Sequence, residues 1–246
     1  MSRIHPQAIV DPSARLAEDV EVGPWTLIGP DVEIGAGSVI GPHVVIRGPT
    51  TIGQHNKIFQ FSSVGEDCQD KKYNGEPTRL IIGDHNVIRE GCTLHRGTVQ
   101  DRGVTTIGSH NLLMAYVHVA HDCIVGDHII MANNATIAGH VRVGDGAILG
   151  GFTTVHQFCH LGAWSMSAAN SAVFKDIPAY VMVGGMRRRG FSPELIAALR
   201  RAYKVVYRQG LTLQDALKAL EEPAQQFTEI ALYRDSIVAS TRGITR

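Results

Sequence analysis

The middle of the chain carries side chains whose types suit acid–base chemistry. Residues 118 to 140 include His118, His121, Asp122, Gly139 and His140. Histidine is the side chain best suited to accepting a proton near neutral pH, and a carboxylate can orient its ring. A glycine lets a bare backbone N–H approach a developing oxyanion. These residue types predict an acyl-transfer centre in which His121 is the general base.

The elements that position these residues are repeats of six. Aliphatic residues stand at every sixth position from Val10 to Val64, from Ile82 to Leu94 and from Ile107 to Leu161. This period is typical of a short strand and a turn repeated around a prism. Three such faces form an 18-residue coil, and stacked coils bury a continuous core. The sequence therefore predicts a mostly β, repetitive architecture.

The coil predicts which residues meet. Residues 18 apart lie one above another, at roughly the 4.8 Å spacing of paired strands. His121 then lies beneath Gly139, with Gln157 one coil further on, and Asp122 lies beneath His140. These five residues should form one patch on one edge of the prism.

Spacing leaves two alternatives to a catalytic patch open. The same residues could be solvated polar groups at exposed corners. Alternatively, His95, His118, His121 and His140 could ligate zinc, as in hexapeptide-repeat carbonic anhydrases. Such a site needs three histidines from neighbouring coils or subunits.

Two interruptions and a helical tail complete the organisation. Loops are predicted near 66–80, where Asp70 and Glu76 occupy inward positions, and near 96–105. After Leu161 the repeat fades, with Val173 as its last inward aliphatic residue. The sequence predicts a β-helix domain over residues 1–185 and a helical domain over residues 186–246.

Capping signals predict three helices in the tail. Ser192 and Pro193 begin the first, and Thr212 begins the second, which should end at Pro223. A third should cover residues 227–238. The tail holds 11 basic and 6 acidic residues, whereas residues 1–185 hold 12 basic and 17 acidic ones. The tail's exposed cations are either a solvated helix face or a docking surface for an acidic partner.

Composition excludes several classes of protein. The 23 basic and 23 acidic residues balance, which argues against nucleic-acid binding by bulk charge. The N-terminus has no apolar signal core, and no apolar run is long enough for stable membrane insertion. The four cysteines form no CxxC pair, so we expect a cytoplasmic protein with reduced thiols.

Specific motifs lie within these repeats. The segments QDKKYNGEPT, IREGCTLHRGT, NLLMAYVHVAHDCIVG, ANNATIAGHVRVGD, GGFTTVHQFCHLG and RRRGFS resemble the bacterial UDP-N-acetylglucosamine O-acyltransferase family over nearly the whole chain. The resemblance implies a left-handed parallel β-helix with a C-terminal α-helical domain, assembled as a homotrimer. It implies transfer of a 3-hydroxyacyl group from acyl carrier protein to the sugar 3-hydroxyl of UDP-N-acetylglucosamine, at the start of lipid A synthesis. It implies no metal and no cofactor beyond the phosphopantetheine of the carrier protein.

The resemblance also implies residue roles. His121 matches the general base, Asp122 its neighbour in the same motif and Gly139 the oxyanion glycine. Ten residues match substrate-binding positions of the family: Gln69, Asp70, Lys72, His95, His118, His140, Gln157, Ala169, Arg188 and Arg189. Among them, Ala169 matches the acyl-groove position, and Arg188 and Arg189 match the arginines that bind phosphate.

Two departures from the family pattern bear on function. The linker from Val183 to Arg189 is shorter than the family's, and it lacks recognisable nucleotide-contacting Asn and Glu residues. Ala168 and Ala169 stand where some relatives have glycines. One alternative function is that of the UDP-3-O-acylglucosamine N-acyltransferases, which share the fold. The other is a non-enzymatic or inactivated scaffold.

Overall fold

A computed structural model describes residues 3–181 and 190–245. Each repeat of six forms a strand of two to four residues followed by a corner. In the described residues the strands are β1 (Arg3–Ile4), β2 (Ile9–Val10), β3 (Arg15–Leu16), β4 (Glu21–Val22), β5 (Leu27–Ile28), β6 (Val32–Ile34), β7 (Val39–Ile40), β8 (Val45–Ile46), β9 (Thr50–Ile52), β10 (Lys57–Ile58), β11 (Ser63–Glu66), β12 (Arg79–Ile82), β13 (Val87–Ile88), β14 (Thr93–His95), β15 (Val104–Ile107), β16 (Leu112–Leu113), β17 (His118–Val119), β18 (Ile124–Val125), β19 (Ile130–Met131), β20 (Thr136–Ile137), β21 (Arg142–Val143), β22 (Ile148–Leu149), β23 (Thr154–Val155), β24 (His160–Leu161) and β25 (Ala172–Val173).

The strands form three parallel sheets, as a three-sided coil requires. The first sheet starts with β1, β4 and β7, the second with β2, β5 and β8, and the third contains β3, β6 and β9. In the regular part each residue pairs with the one 18 positions later, as Ile124 does with Arg142. The 18-residue coil predicted from the sequence is therefore confirmed.

One aliphatic side chain per repeat fills the interior. Ile40, Ile46, Leu94 and Leu149 are 0–1% exposed. Full burial of such a side chain contributes about 1.5–3 kcal/mol, so the stacked interior is the main source of stability. Ile177 is also buried and bridges to Leu161, so the expectation that Val173 ends the core is wrong. The core continues because residues after Val173 form one further, less regular turn.

Both interruptions leave the prism at the corner between the second and third sheets. One loop covers residues 67–78 between β11 and β12, and the other covers residues 96–103 between β14 and β15. The same corner carries His121, Gly139 and Gln157, one on each successive coil. The loops are thereby placed beside the predicted site.

The tail is a small bundle with its own apolar core, made of α1 (Pro193–Tyr207), α2 (Leu213–Ala219), α3 (Glu221–Gln226) and α4 (Thr228–Val238). The side chains of Ser192 and Thr212 cap α1 and α2, as predicted. The expected helix end at Pro223 is wrong, because Pro223 lies in the first turn of α3, where a proline needs no N–H partner. The predicted boundary between residues 185 and 186 lies outside the described residues. Within the described part, no helix has the length and apolarity to cross a membrane.

Candidate active site

The corner between the second and third sheets brings most of the predicted residues together. His140 donates its backbone N–H to the His121 carbonyl at 3.1 Å, which places the two corners directly above one another. A cavity of about 410 Å³ opens beside them. Its predicted lining residues are Gln69, Asp70, His95, His118, His121, Gly139 and Gln157.

His121 and Asp122 form a hydrogen-bonded pair although they are adjacent in the chain. Nδ1 of His121 lies 2.9 Å from Oδ2 of Asp122. Asp122 has a positive φ of 58°, a conformation that aspartate tolerates better than most residues, and its backbone therefore turns sharply at the corner. Because the carboxylate accepts the proton on Nδ1, Nε2 of the neutral ring is left as the basic atom.

The second loop holds the carboxylate of this pair. Thr98 donates its hydroxyl to Asp122 at 2.6 Å and its backbone N–H at 3.0 Å. Burial favours the protonated acid, but the hydrogen bonds from His121 and Thr98 outweigh it and hold the pKa of Asp122 below its usual value. Asp122 is therefore ionised at neutral pH. Thr98 could not be predicted from the sequence, because no motif distinguishes it from other loop threonines.

Gly139 faces the His121 ring and has no room for a side chain. A Cβ built on Gly139 would lie 2.5 Å from Nε2 of His121. Within residues 3–181 and 190–245, the Gly139 N–H has no hydrogen-bond acceptor. The site therefore combines a basic nitrogen with a free backbone donor, which is the pairing that acyl transfer needs.

Two further histidines in this cavity are held neutral. Burial, aided by the nearby His95 and His121 imidazoles, lowers the pKa of His118 to about 4. Burial also lowers the pKa of His95, and outweighs the opposing effect of the Asp67 carbonyl, which accepts from Nδ1 of His95 at 2.7 Å. Both rings offer uncharged polar groups to a substrate.

A second cavity of about 770 Å³ lies on the third-sheet side of the same corner. Lys72, Asp122, His140 and Gln157 line it. Nδ1 of His140 is 2.7 Å from Oδ2 of Asp101, a residue of the second loop that the sequence did not single out. Phe158 stacks on the His140 ring with centroids 4.4 Å apart.

The geometry bears on the zinc alternative. Among the described residues, one set of three potential ligands converges, with His121, Asp122 and His140 offering atoms within 4.8 Å of one another. Nδ1 of each histidine is already engaged with a carboxylate, and Thr98 donates to Asp122. His95 and His118 do not belong to this set. That the protein needs no metal stays a prediction.

Of the predicted residues that the structure describes, Ala169 lies apart from these cavities. Ala169 is exposed at the corner between the first and second sheets, on the opposite edge of the second sheet from His121. Arg188 and Arg189 lie outside the described residues. Four further tail cations, Arg200, Arg201, Lys204 and Arg208, are exposed on or directly after α1.

Comparison with known proteins gives a consistent result. The family described as "Udp N-acetylglucosamine O-acyltransferase; Domain 2" matches residues 176–245, and "Bacterial transferase hexapeptide (six repeats)" matches residues 13–48 and 105–139. Relatives named acyl-[acyl-carrier-protein]–UDP-N-acetylglucosamine O-acyltransferase, from Ectopseudomonas mendocina and Pseudomonas putida, are 68% and 64% identical. Both alignments cover 100% of each chain and span 258 positions, against 246 residues here.

Solved structures agree. The UDP-N-acetylglucosamine O-acyltransferase of Moraxella catarrhalis is 48% identical, with a TM-score of 0.96 over 99% of this chain and 100% of that one. The Acinetobacter baumannii structure is 52% identical, with a TM-score of 0.95 and the same coverage. These matches confirm the left-handed parallel β-helix. The chain belongs to the family of acyl-[acyl-carrier-protein]–UDP-N-acetylglucosamine O-acyltransferases.

Proposed function

We propose that this protein transfers a 3-hydroxyacyl group from acyl carrier protein to the 3-hydroxyl of UDP-N-acetylglucosamine, the first step of lipid A biosynthesis. The observation that carries the proposal is the hydrogen-bonded His121–Asp122 pair next to Gly139, whose N–H has no acceptor among the described residues. Full-length relatives named for this activity support the choice of donor and acceptor.

The proposed mechanism is direct transfer. Nε2 of His121 takes the proton of the sugar 3-hydroxyl while that oxygen attacks the thioester carbon. The Gly139 N–H donates to the oxyanion of the tetrahedral intermediate, and Asp122 stabilises the imidazolium. When the carbon–sulfur bond breaks, His121 returns the proton to the leaving thiolate. No net proton is consumed, and no step is assigned to a metal or another cofactor.

The residues around the base are assigned to the sugar nucleotide. Gln69 and Asp70 line the cavity of the base, and Lys72 lines the larger cavity beside it. The neutral rings of His95 and His118 offer hydrogen bonds there without charge. The remaining assignments from the family pattern are His140, Gln157, Arg188 and Arg189.

We propose a homotrimer that docks acyl carrier protein on its basic helical tail. Bulky aromatic side chains stand exposed along the corner between the first and second sheets, where Phe61 and Tyr116 are 67% and 65% exposed. Burial of such a row against other copies would remove it from water. Sedimentation analysis, expected to give three times the chain mass, tests the assembly.

The four buried free cysteines suit a reducing compartment, so we place the protein in the cytoplasm.

One assay tests the activity. Purified protein is mixed with a 3-hydroxyacyl-carrier-protein thioester and UDP-N-acetylglucosamine, and free thiol and product mass are followed. We expect thiol release that needs the sugar nucleotide, together with an O-acylated product. Acylation only of an amino-sugar acceptor would identify an N-acyltransferase instead. No release with any acceptor would identify a scaffold.

A further inference from the structure

A buried arginine ties the first loop to the prism. Arg96 is 6% exposed and lies in the second loop, directly after β14. Its Nη1 donates to the carbonyls of Gly48 and Gly65 at 2.7 and 2.9 Å. Its Nη2 donates to the Asp67 carboxylate, and to the Tyr73 hydroxyl at 2.8 Å.

The two terminal nitrogens of the Arg96 guanidinium donate hydrogen bonds to different parts of the molecule. Gly48 and Gly65 belong to the coils. Asp67 and Tyr73 are the first and last residues of the 67–73 segment of the first loop. Tyr73 also donates toward the Asp67 carboxylate at 3.1 Å, so the ends are joined to each other as well. The segment between them carries Gln69, Asp70 and Lys72.

This segment forms one wall of the site. Gln69 and Asp70 line the cavity that holds His121 and Gly139, and Lys72 lines the adjoining one. The Asp67 carbonyl accepts from Nδ1 of His95 at 2.7 Å, which joins the start of the segment to β14. The bonds within the segment are short-range, such as Tyr73 N–H to the Asp70 carbonyl at 3.0 Å, and they do not fix its far end against the prism.

We propose that Arg96 is a positioning residue for the sugar-nucleotide site, acting through the 67–73 segment; this rests on the proposed function. Arginine suits the role because its rigid planar fork donates in two directions at once, which a lysine ammonium cannot reproduce. The carboxylate of Asp67 balances its charge.

Arg96→Lys is the primary test, because it keeps the charge and loses the fork. We expect the KM for UDP-N-acetylglucosamine to rise at least about tenfold, while kcat falls less than about threefold and the KM for the acyl donor stays within about twofold. Arg89→Lys is the matched control, since Arg89 pairs with Glu90 on the outside of the coil. It should leave all three constants unchanged.

A second readout does not depend on activity. Lys71 and Lys72 are exposed, and limited trypsin digestion followed by fragment mass reports cleavage after them. In Arg96→Lys this cleavage should accelerate about tenfold, whereas Arg89→Lys should match the parent. Tyr73→Phe removes one of the bonds to Arg96 and should shift both readouts in the same direction by a smaller factor. If Arg96→Lys does not fold, the Tyr73→Phe results decide whether the proposal stands.

Unchanged cleavage and an unchanged sugar-nucleotide KM in folded Arg96→Lys would overturn the proposal. So would a fall in kcat alone, which would indicate a general structural role. If the parent protein has no transferase activity, the proposed function fails, and the cleavage rates alone decide whether Arg96 anchors the segment.

Discussion

Replacing Gly139 by alanine tests whether the position of the His121 ring governs the reaction. The added Cβ would lie 2.5 Å from Nε2 and 3.1 Å from Nδ1 of His121. Comfortable contact requires about 3.5 Å, so the ring has to move by roughly 1 Å. That movement displaces the basic nitrogen and strains the 2.9 Å bond to Asp122. A displacement of about 1 Å in a catalytic group costs on the order of 10²-fold in rate, or about 2.7 kcal/mol in the barrier.

The assay is thiol release from the acyl-carrier thioester, with Gly151→Ala as the matched control. A Cβ on Gly151 meets a single atom within 4 Å, the Asn133 carbonyl oxygen at 3.4 Å. We expect kcat/KM to fall about 10²-fold for Gly139→Ala and to change less than about twofold for Gly151→Ala. Imidazole NMR signals of His121 should shift only in the first variant.

A folded Gly139→Ala protein with kcat/KM within about threefold of the parent would refute the reasoning. A large loss with unshifted His121 signals would refute the steric part alone, and would assign the loss to the Gly139 N–H.

Further predictions concern the base, metal, acyl groove and acid stability. His121→Ala should lower turnover by about 10²–10⁴-fold with fold and assembly intact; near-normal turnover would contradict its role. Exhaustive chelation should leave full activity, whereas stoichiometric zinc whose removal abolishes activity would favour the metal alternative. Because the family resemblance assigns Ala169 to the acyl groove, Ala169→Met should shift preference toward shorter 3-hydroxyacyl donors and Ala169→Gly toward longer ones, read by product mass in a donor competition; an unchanged ranking would contradict that assignment. Unfolded His118 binds a proton below about pH 6.5 and the folded residue only below about 4, so stability should fall as pH drops through this window. In His118→Gln, the free energy of unfolding should decrease over this pH range by up to about 3 kcal/mol less than in the parent protein. An equal decrease in both proteins would contradict the burial of the ring.

The repeat pattern was sufficient to predict the scaffold and the core of the site. A period of six constrains each residue by its immediate neighbours and by its counterpart one coil away. The stacking of His121 beneath Gly139 could therefore be worked out by counting. The resemblance of the motifs added the family, and the comparisons confirm it. The starts of α1 and α2 were predictable for the same local reason, because caps such as Ser192 act within one turn, whereas the division at α3 was not predicted.

The contacts between the irregular segments and the prism could be read only from the folded molecule. The bonds from Thr98 to Asp122 and from Arg96 to Asp67 join residues 24 and 29 positions apart, across loops that have no period. The pairing of His121 with Asp122 depended on the left-handed backbone at the corner, and Ala169 proved to stand on a different edge from the base. Periodic short-range order can be read along a chain, whereas the contacts of a loop depend on where the completed coils place its two ends.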